Sequence, residues 1–217
     1  MKAIPRIAVL ISGRGSNLGA LLAAERAGRL GGTIAVVISN RPDAGGLELA
    51  RAHGVASTVI DHRGLDRRSF EARLDAALDV AACDLVVLAG FMRVLTAEFV
   101  QRYAGRMINV HPSLLPAFGG LDTHRRALAE GVRIHGCTVH FVTPDLDHGP
   151  IIAQGALAVS PSDDAQSLSA RVLAIEHRLL PAATRAFCEG RLVIAGQAVR
   201  VQGEVPGITS PEVPALP

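Results

Sequence analysis

The 217 residues suffice for one sizeable core, and 49% hydrophobic content with 3% aromatic residues and no Trp describes an aliphatic globular interior and excludes disorder for most of the chain. A formal charge of +2, carried largely by dispersed Arg, is too small for a nucleic-acid or membrane-surface protein, whose basic groups cluster on one face. Cys83, Cys137 and Cys188 sit in apolar contexts without metal-like spacing and read as reduced core thiols of a cytoplasmic protein, and no apolar run has the length of a secretory leader or membrane span.

Residues 6–11 (RIAVLI) are a compact apolar run, as a strand buried on both faces would be. A helix follows, with Asn17 as its expected N-cap and Leu18, Leu21 and Leu22 at helical spacing until Gly28. Residues 33–39 form a second strand, 45–53 a short helix and 57–60 a third strand. Residues 67–80 read as an amphipathic helix with Phe70, Leu74, Ala77 and Leu78 on one face, and 84–89 as a fourth strand. The run from Met107 to Pro116 (MINVHPSLLP) is a fifth strand ending in a loop stiffened by Pro112 and Pro116. Residues 122–131 form a helix, 136–142 and 151–159 an antiparallel pair, and 163–189 a long helix containing Pro181.

Strands alternating with helices predict an α/β fold: a mostly parallel, twisted, Rossmann-like sheet covered on both faces, with an antiparallel addition in the C-terminal half. Residues 1–203 are expected to form a single domain, and 204–217, with several prolines, a mobile tail. In such a sheet ligands sit at the carboxyl ends of the strands. The loops 12–17, 90–93 and 109–116, which follow the first, fourth and fifth strands, should therefore open on one edge.

Asn109 and His111, two apart in an extended chain, project to the same face and pair an amide donor with an imidazole. Gly13 to Asn17 place small residues where backbone N–H groups and a helix N-terminus can hold an anion. Leu18 stands where a dinucleotide fingerprint needs its third glycine, and no Walker motif is present, so a phosphomonoester fits better than NAD or NTP; a tight turn without ligand is the plain alternative. Five histidines lie between 111 and 148, without metal-ligand spacing, so no metal is expected, and His140 in its strand is assigned a structural role. The turn 145–149 is either a solvated acidic turn or, folded over the sheet edge, the source of a carboxylate that raises the His111 pKa. The charged imidazole and the amide together suit formation of an oxyanion and departure of an amine.

The segments LISGRGSNL, VVLAGFMRVL, INVHPSLLP, HGCTVHFV, DLDHGPII and IEH, spread from Ile7 to about Leu192, resemble the phosphoribosylglycinamide formyltransferase family, the folate-dependent enzymes of purine synthesis. The resemblance implies formyl transfer from 10-formyltetrahydrofolate to the amine of N1-(5-phospho-D-ribosyl)glycinamide, on small molecules only, by a monomer or homodimer without metal. It further implies that Asn109 donates to the oxyanion, His111 donates the proton and Asp147 keeps His111 charged. Gly15, Ser16, Asn17 and Glu176 would bind the ribose phosphate substrate. Arg67, with Arg68 as rival, Met92, Arg93, Val94, Leu95 and Asn109 would bind folate, with the 143–147 loop closing the pterin pocket. Three positions depart from the family pattern: Gly119 replaces Pro or Lys, Asp122 replaces His or Asn and is expected to add negative charge near His111, and Leu173 replaces a Lys or Gln that helps hold the nucleotide. Among relatives sharing the formyl-handling core, a deformylase would carry an extra N-terminal domain and a methionyl-tRNA formyltransferase a C-terminal RNA-binding domain, so both are disfavoured. A non-catalytic nucleotide-binding module is the rival of a different class.

Overall fold

A computed structural model of the chain describes residues 3–203 and the backbone of Glu212–Val213. Its elements run in the order β1 (Arg6–Ile11), α1 (Ser16–Arg26), β2 (Thr33–Ser39), α2 (Gly46–Ala52), β3 (Ser57–Val59), α3 (Arg67–Ala81), β4 (Leu85–Leu88), α4 (Ala97–Arg102), β5 (Met107–His111), α5 (Thr123–Ala129), β6 (Ile134–Phe141), β7 (Ile151–Ala158), α6 (Ala165–Cys188), β8 (Leu192–Ala195), β9 (Ala198–Val201) and β10 (Glu212–Val213). One sheet contains every strand, in the order β3-β2-β1-β4-β5-β6-β7-β9-β8, with β10 on β7. Strands β3, β2, β1, β4 and β5 are parallel, whereas β6 runs antiparallel to β5 and to β7. This is the Rossmann-like α/β sheet with the expected antiparallel C-terminal addition.

The apolar runs become strands because both faces of the sheet are covered. Along β1, Ile7, Val9 and Ile11 pack into a core with α1 and α6, while Ala8 and Leu10 face a second core with Phe70, Leu74 and Leu78 of α3. Helix α3 starts where the Asp66 side chain accepts from the Ser69 N–H at 2.8 Å. Helix α6 starts at a capping box in which Asp164 and Ser167 bond reciprocally, and Leu168, Val172, Ile175 and Leu179 form its buried stripe. It continues through Pro181, which is itself buried.

One correction concerns a local signal. The N-cap of α1 is Gly15 in the left-handed conformation (φ 78°), not Asn17, which lies in the first turn with its side chain directed inward. The turn is Gly-built because α2 crosses it: a Cβ on Gly15 would lie 2.6 Å from the Gly46 Cα. Helix α4 and the β8–β9 hairpin go beyond the sequence pattern; α4 is capped by Thr96, whose side chain accepts from the Phe99 N–H, and the hairpin turns at left-handed Gly196. Of the expected tail, only the backbone pairing of Glu212 and Val213 with Gly155 and Gln154 falls within the described residues.

The order β2-β1-β4 places a topological switch between β1 and β4, where chain direction through the sheet reverses and ligand crevices open. The loops after β1 and β4 meet there: the Ser12 N–H donates to the Gly90 carbonyl at 3.1 Å. The loop after β5 lies one strand further along the same edge.

Candidate active site

Strand β5 delivers Asn109 and His111 to this edge, and the antiparallel register of β6 sets His140 opposite Asn109 and Thr138 opposite His111. His140 is buried, and its Nδ1 lies 2.9 Å from the Phe141 carbonyl, to which it donates. Burial lowers the His140 pKa against the opposing pull of the Phe141 carbonyl and the Asp147 charge, so the ring is neutral and Nε2 is an acceptor. The Asn109 amide donates to that nitrogen at 3.1 Å, which fixes the amide orientation and leaves its second N–H for another acceptor. His140 thus has more than the structural role read from its strand: it orients Asn109.

The His111 ring is equally constrained. Its Nε2 donates to the Phe118 carbonyl at 3.0 Å and its Nδ1 lies 3.5 Å from Asp147 Oδ2, so a ring carrying both protons finds an acceptor on each side. The Asp147 side chain is 10% exposed and accepts from the Gly120 N–H at 2.8 Å, joining the 143–149 turn to the loop after β5. Its other oxygen lies 4.0 Å from His140 Nε2. Asp147 therefore stands between the two histidines, and the acidic turn does fold over the sheet edge. Asp147 adopts the left-handed conformation (φ 54°), which Asp tolerates better than most residues.

The loop following His111 is rigid for reasons beyond its prolines. The Thr138 hydroxyl donates to the Ser113 carbonyl at 2.7 Å and accepts from the Leu115 N–H, while the Gln154 amide donates to the Leu115 carbonyl at 2.8 Å. Of the departures from the family pattern, Gly119 lies against Asp147, with room for a Cβ 3.7 Å from that of Asp147. Asp122 does not act as expected: its exposed carboxylate is bound to Arg125 at 2.7 Å and so adds no free charge beside His111. Leu173 is half-buried on α6, three residues before Glu176.

On one side of this cluster lies the glycine turn that opens α1. The Asn17 amide donates to Glu176 Oε2 at 2.7 Å across 159 residues of chain, both side chains being buried. Burial pushes the Glu176 carboxyl up, against the lowering effect of the Asn17 amide. Asn17 Oδ1 is buried without a hydrogen-bond partner among the described residues. Gly15, Ser16, Asn17 and Glu176 are thus brought together.

On the other side is the irregular segment from Met92 to Leu95. Met92 and Val94 are 69% and 53% exposed, and Leu146 of the acidic turn is 60% exposed, which forms an apolar rim beside the polar cluster. The Arg93 guanidinium stacks on Phe70 at 4.8 Å. Arg67 is exposed at the start of α3, with no acidic partner among the described residues, whereas Arg68 lies 3.8 Å from Glu98. A groove of about 680 Å³ between α3 and α4, lined by Arg68, Glu71, Asp75, Thr96, Glu98 and Arg102, contains none of the Asn109, His111 and Asp147 cluster. Among the described residues, no group of three or more His, Cys, Asp or Glu side chains could hold a metal ion, and no helix is long and apolar enough to cross a membrane.

The arrangement offers a fixed amide donor, an imidazole between two acceptors and a carboxylate, flanked by an anion-suited turn and an apolar rim. The chain is similar to known proteins along most of its length. Residues 5–184 match the formyl transferase family profile. Phosphoribosylglycinamide formyltransferase of Escherichia coli (strain K12) is 45% identical over 199 residues, covering 91% of this chain and 94% of that protein. The crystal structure of glycinamide ribonucleotide transformylase 1 from Symbiobacterium toebii has a TM-score of 0.90 at 49% identity, covering 92% of this chain and 95% of that one. Formyltetrahydrofolate deformylase from Burkholderia mallei ATCC 23344 has a TM-score of 0.85 at 34% identity, covering 93% of this chain and 71% of that one. With a match that runs from β1 through both flanking loops and into α6, this chain belongs to the formyl transferase family.

Proposed function

We propose that this enzyme transfers the formyl group of 10-formyltetrahydrofolate to the amine of N1-(5-phospho-D-ribosyl)glycinamide, giving the N-formyl product and tetrahydrofolate in de novo purine biosynthesis. The observation that carries the reading is the cluster in which His140 holds Asn109 and Asp147 faces His111, set between the Asn17–Glu176 pair and the Met92–Leu95 segment. The residues present fit the folate co-substrate: a flat heterocycle with a polar edge suits a segment in which Met92 and Val94 offer exposed apolar side chains.

Gly15, Ser16 and Asn17 hold the phosphate and ribose, with Glu176 as an acceptor for ribose hydroxyls. Arg67 takes the glutamate carboxylate of the folate, and Met92, Arg93, Val94 and Leu95 take its pterin. The substrate amine forms a C–N bond to the formyl carbon while the carbonyl electron pair moves to oxygen. Asn109 donates its free amide N–H to that oxygen, where charge develops in the transition state. His111 donates a proton to the departing folate nitrogen, and the proton lost by the attacking amine returns through Asp147, whose 3.5 and 4.0 Å spacings from the two histidines suit a bridging water or reacting group. Holding the two substrates in register supplies much of the remaining rate. No step needs a metal. We further infer action on small molecules by a monomer or homodimer in the cytoplasm, a compartment consistent with three buried cysteines that form no disulfide.

Transfer is favoured over hydrolysis because identity is 45% and 49% to the two transformylases and 34% to the deformylase. Supplying 10-formyltetrahydrofolate with and without the glycinamide nucleotide tests this: acceptor-dependent tetrahydrofolate without formate is expected, and formate release without acceptor would mean a hydrolase. Asn109→Ala and His111→Ala should each lower kcat by about 100-fold or more, whereas a non-catalytic binding module predicts no effect of either.

A further inference from the structure

Residues 91–96 adopt neither helix nor strand, and the peptide groups of Arg93, Val94 and Leu95 make no hydrogen bond among the described residues. Each end of this free stretch is fastened by a side chain from elsewhere in the chain. At the first end, the Met92 N–H donates to the Ser12 hydroxyl at 2.7 Å, and that hydroxyl donates in turn to Asn40 Oδ1 at 2.6 Å. Both Ser12 and Asn40 are buried, at the carboxyl ends of β1 and β2, so the fastening is anchored in the rigid centre of the sheet.

At the other end, Glu71 accepts from the Thr96 N–H at 2.6 Å and from the Thr96 hydroxyl. Glu71 is 6% exposed, and no Lys or Arg forms an ion pair with it among the described residues. Burying a carboxylate is costly, and among the described residues the Thr96 N–H and hydroxyl are the donors that offset it. Its neighbour Phe70 carries the Arg93 guanidinium and stacks with Phe91 at 6.5 Å, so α3 supports the middle of the stretch as well as its end. Unpaired peptide groups in the centre and charged or buried hydrogen bonds at both ends describe a stretch held open for a ligand.

We propose that Glu71 and Ser12 are positioning residues for the folate co-substrate, holding the two ends of the 92–96 stretch so that its free peptide groups keep a fixed spacing. The proposal rests on the reading of Met92 to Leu95 as the pterin-binding segment. Neither residue touches the reacting atoms. A purely structural cap on α4 would alter stability alone, whereas positioning alters folate affinity selectively.

The test combines tetrahydrofolate binding by calorimetry, Michaelis constants for both substrates, kcat, and thermal melting. Glu71→Ala should weaken tetrahydrofolate binding and raise the 10-formyltetrahydrofolate KM by about 10-fold, the order expected for loss of a charge-assisted hydrogen bond. The nucleotide KM and kcat should stay within about twofold. Glu71→Gln, which keeps an acceptor for the Thr96 N–H, should recover most of the affinity. Ser12→Ala should act in the same direction, and Thr96→Val, which removes one donor, serves where Glu71→Ala does not fold. Val94→Asp separates the two layers of the reading. If it leaves tetrahydrofolate binding intact, the segment is not the folate site and the proposal falls with it. If it weakens binding while the Glu71, Ser12 and Thr96 variants do not, or if those variants shift both substrates equally, the proposal alone is overturned.

Discussion

Acid should loosen this active site through His135. That ring is 1% exposed, stands edge-on to Phe118 at 6.0 Å and has its Nε2 3.2 Å from His124 Nδ1. Burial, and then the nearby His124, push its pKa from 6.5 down to about 4, with the Pro112 carbonyl pulling the other way. The unfolded chain binds this proton near pH 6.5 and the folded chain near 4, so stability falls as pH drops through that window and stops falling below it. At pH 5 the difference in proton binding corresponds to about 2 kcal/mol relative to pH 7.5, which for a chain of this size is a shift of roughly 4–8 °C in Tm. Urea unfolding of the unmodified chain and of His135→Asn at pH 7.5 and 5.0 measures it. The variant starts less stable because it loses a packed ring, but its own loss between the two pH values should be smaller by about 2 kcal/mol. An equal loss in both proteins would refute the assignment. His124 and His140, whose pKa values burial also lowers, add to the slope in both proteins. Since Phe118 supplies the carbonyl at His111 Nε2, activity on the acid side should fall with this loosening.

Two other predictions concern single positions. Leu173→Lys places an ammonium three residues before Glu176, on the same helix face, and should lower the nucleotide KM by roughly 3- to 10-fold with kcat unchanged; no tightening would show that the departure at 173 costs nothing in binding. Gly149→Ala would put a Cβ 1.7 Å from the Phe141 carbonyl oxygen, so a chemical melt should show a loss of at least about 3 kcal/mol, together with lost activity as the neighbouring Asp147 turn is displaced.

Much of the fold was legible because the central strands are covered on both sides. Runs such as those of β1, β2 and β4 are then continuously apolar, and their burial is nearly complete. The elements that escaped are those with little to bury. Helix α4 has six residues and buries only Phe99 and Val100, too few to show a helical period. The β8–β9 hairpin lies at the far edge of the sheet, and Val193 and Ile194 remain 39% and 42% exposed, so no clean alternation marks it. Asn17 misled for a different reason. Its residue type suits a helix cap, but α6 sets Glu176 beside it from 159 residues away, and that partner decides where the amide points.

The site divides along the same line. Asn109 and His111 could be read from a strand period of two, whereas what holds them depends on the register of β6 against β5. That register pairs Asn109 with His140 and His111 with Thr138, so one antiparallel strand supplies both the acceptor that fixes the amide and the hydroxyl that pins the loop after the imidazole. A slip by one residue would turn Thr138 and His140 to the opposite face and leave both functions unfilled. Gly136 opposes such a slip in the next layer, because a Cβ there would lie 1.9 Å from the Gly155 carbonyl oxygen on β7 and the two strands approach this closely only with glycine in place. Ser12 and Glu71 show the same dependence on distant partners, reaching Met92 and Thr96 across 80 and 25 residues. The reacting groups therefore sit on strand positions that a periodicity can reveal, while their precision comes from pairings that exist only once the sheet has closed.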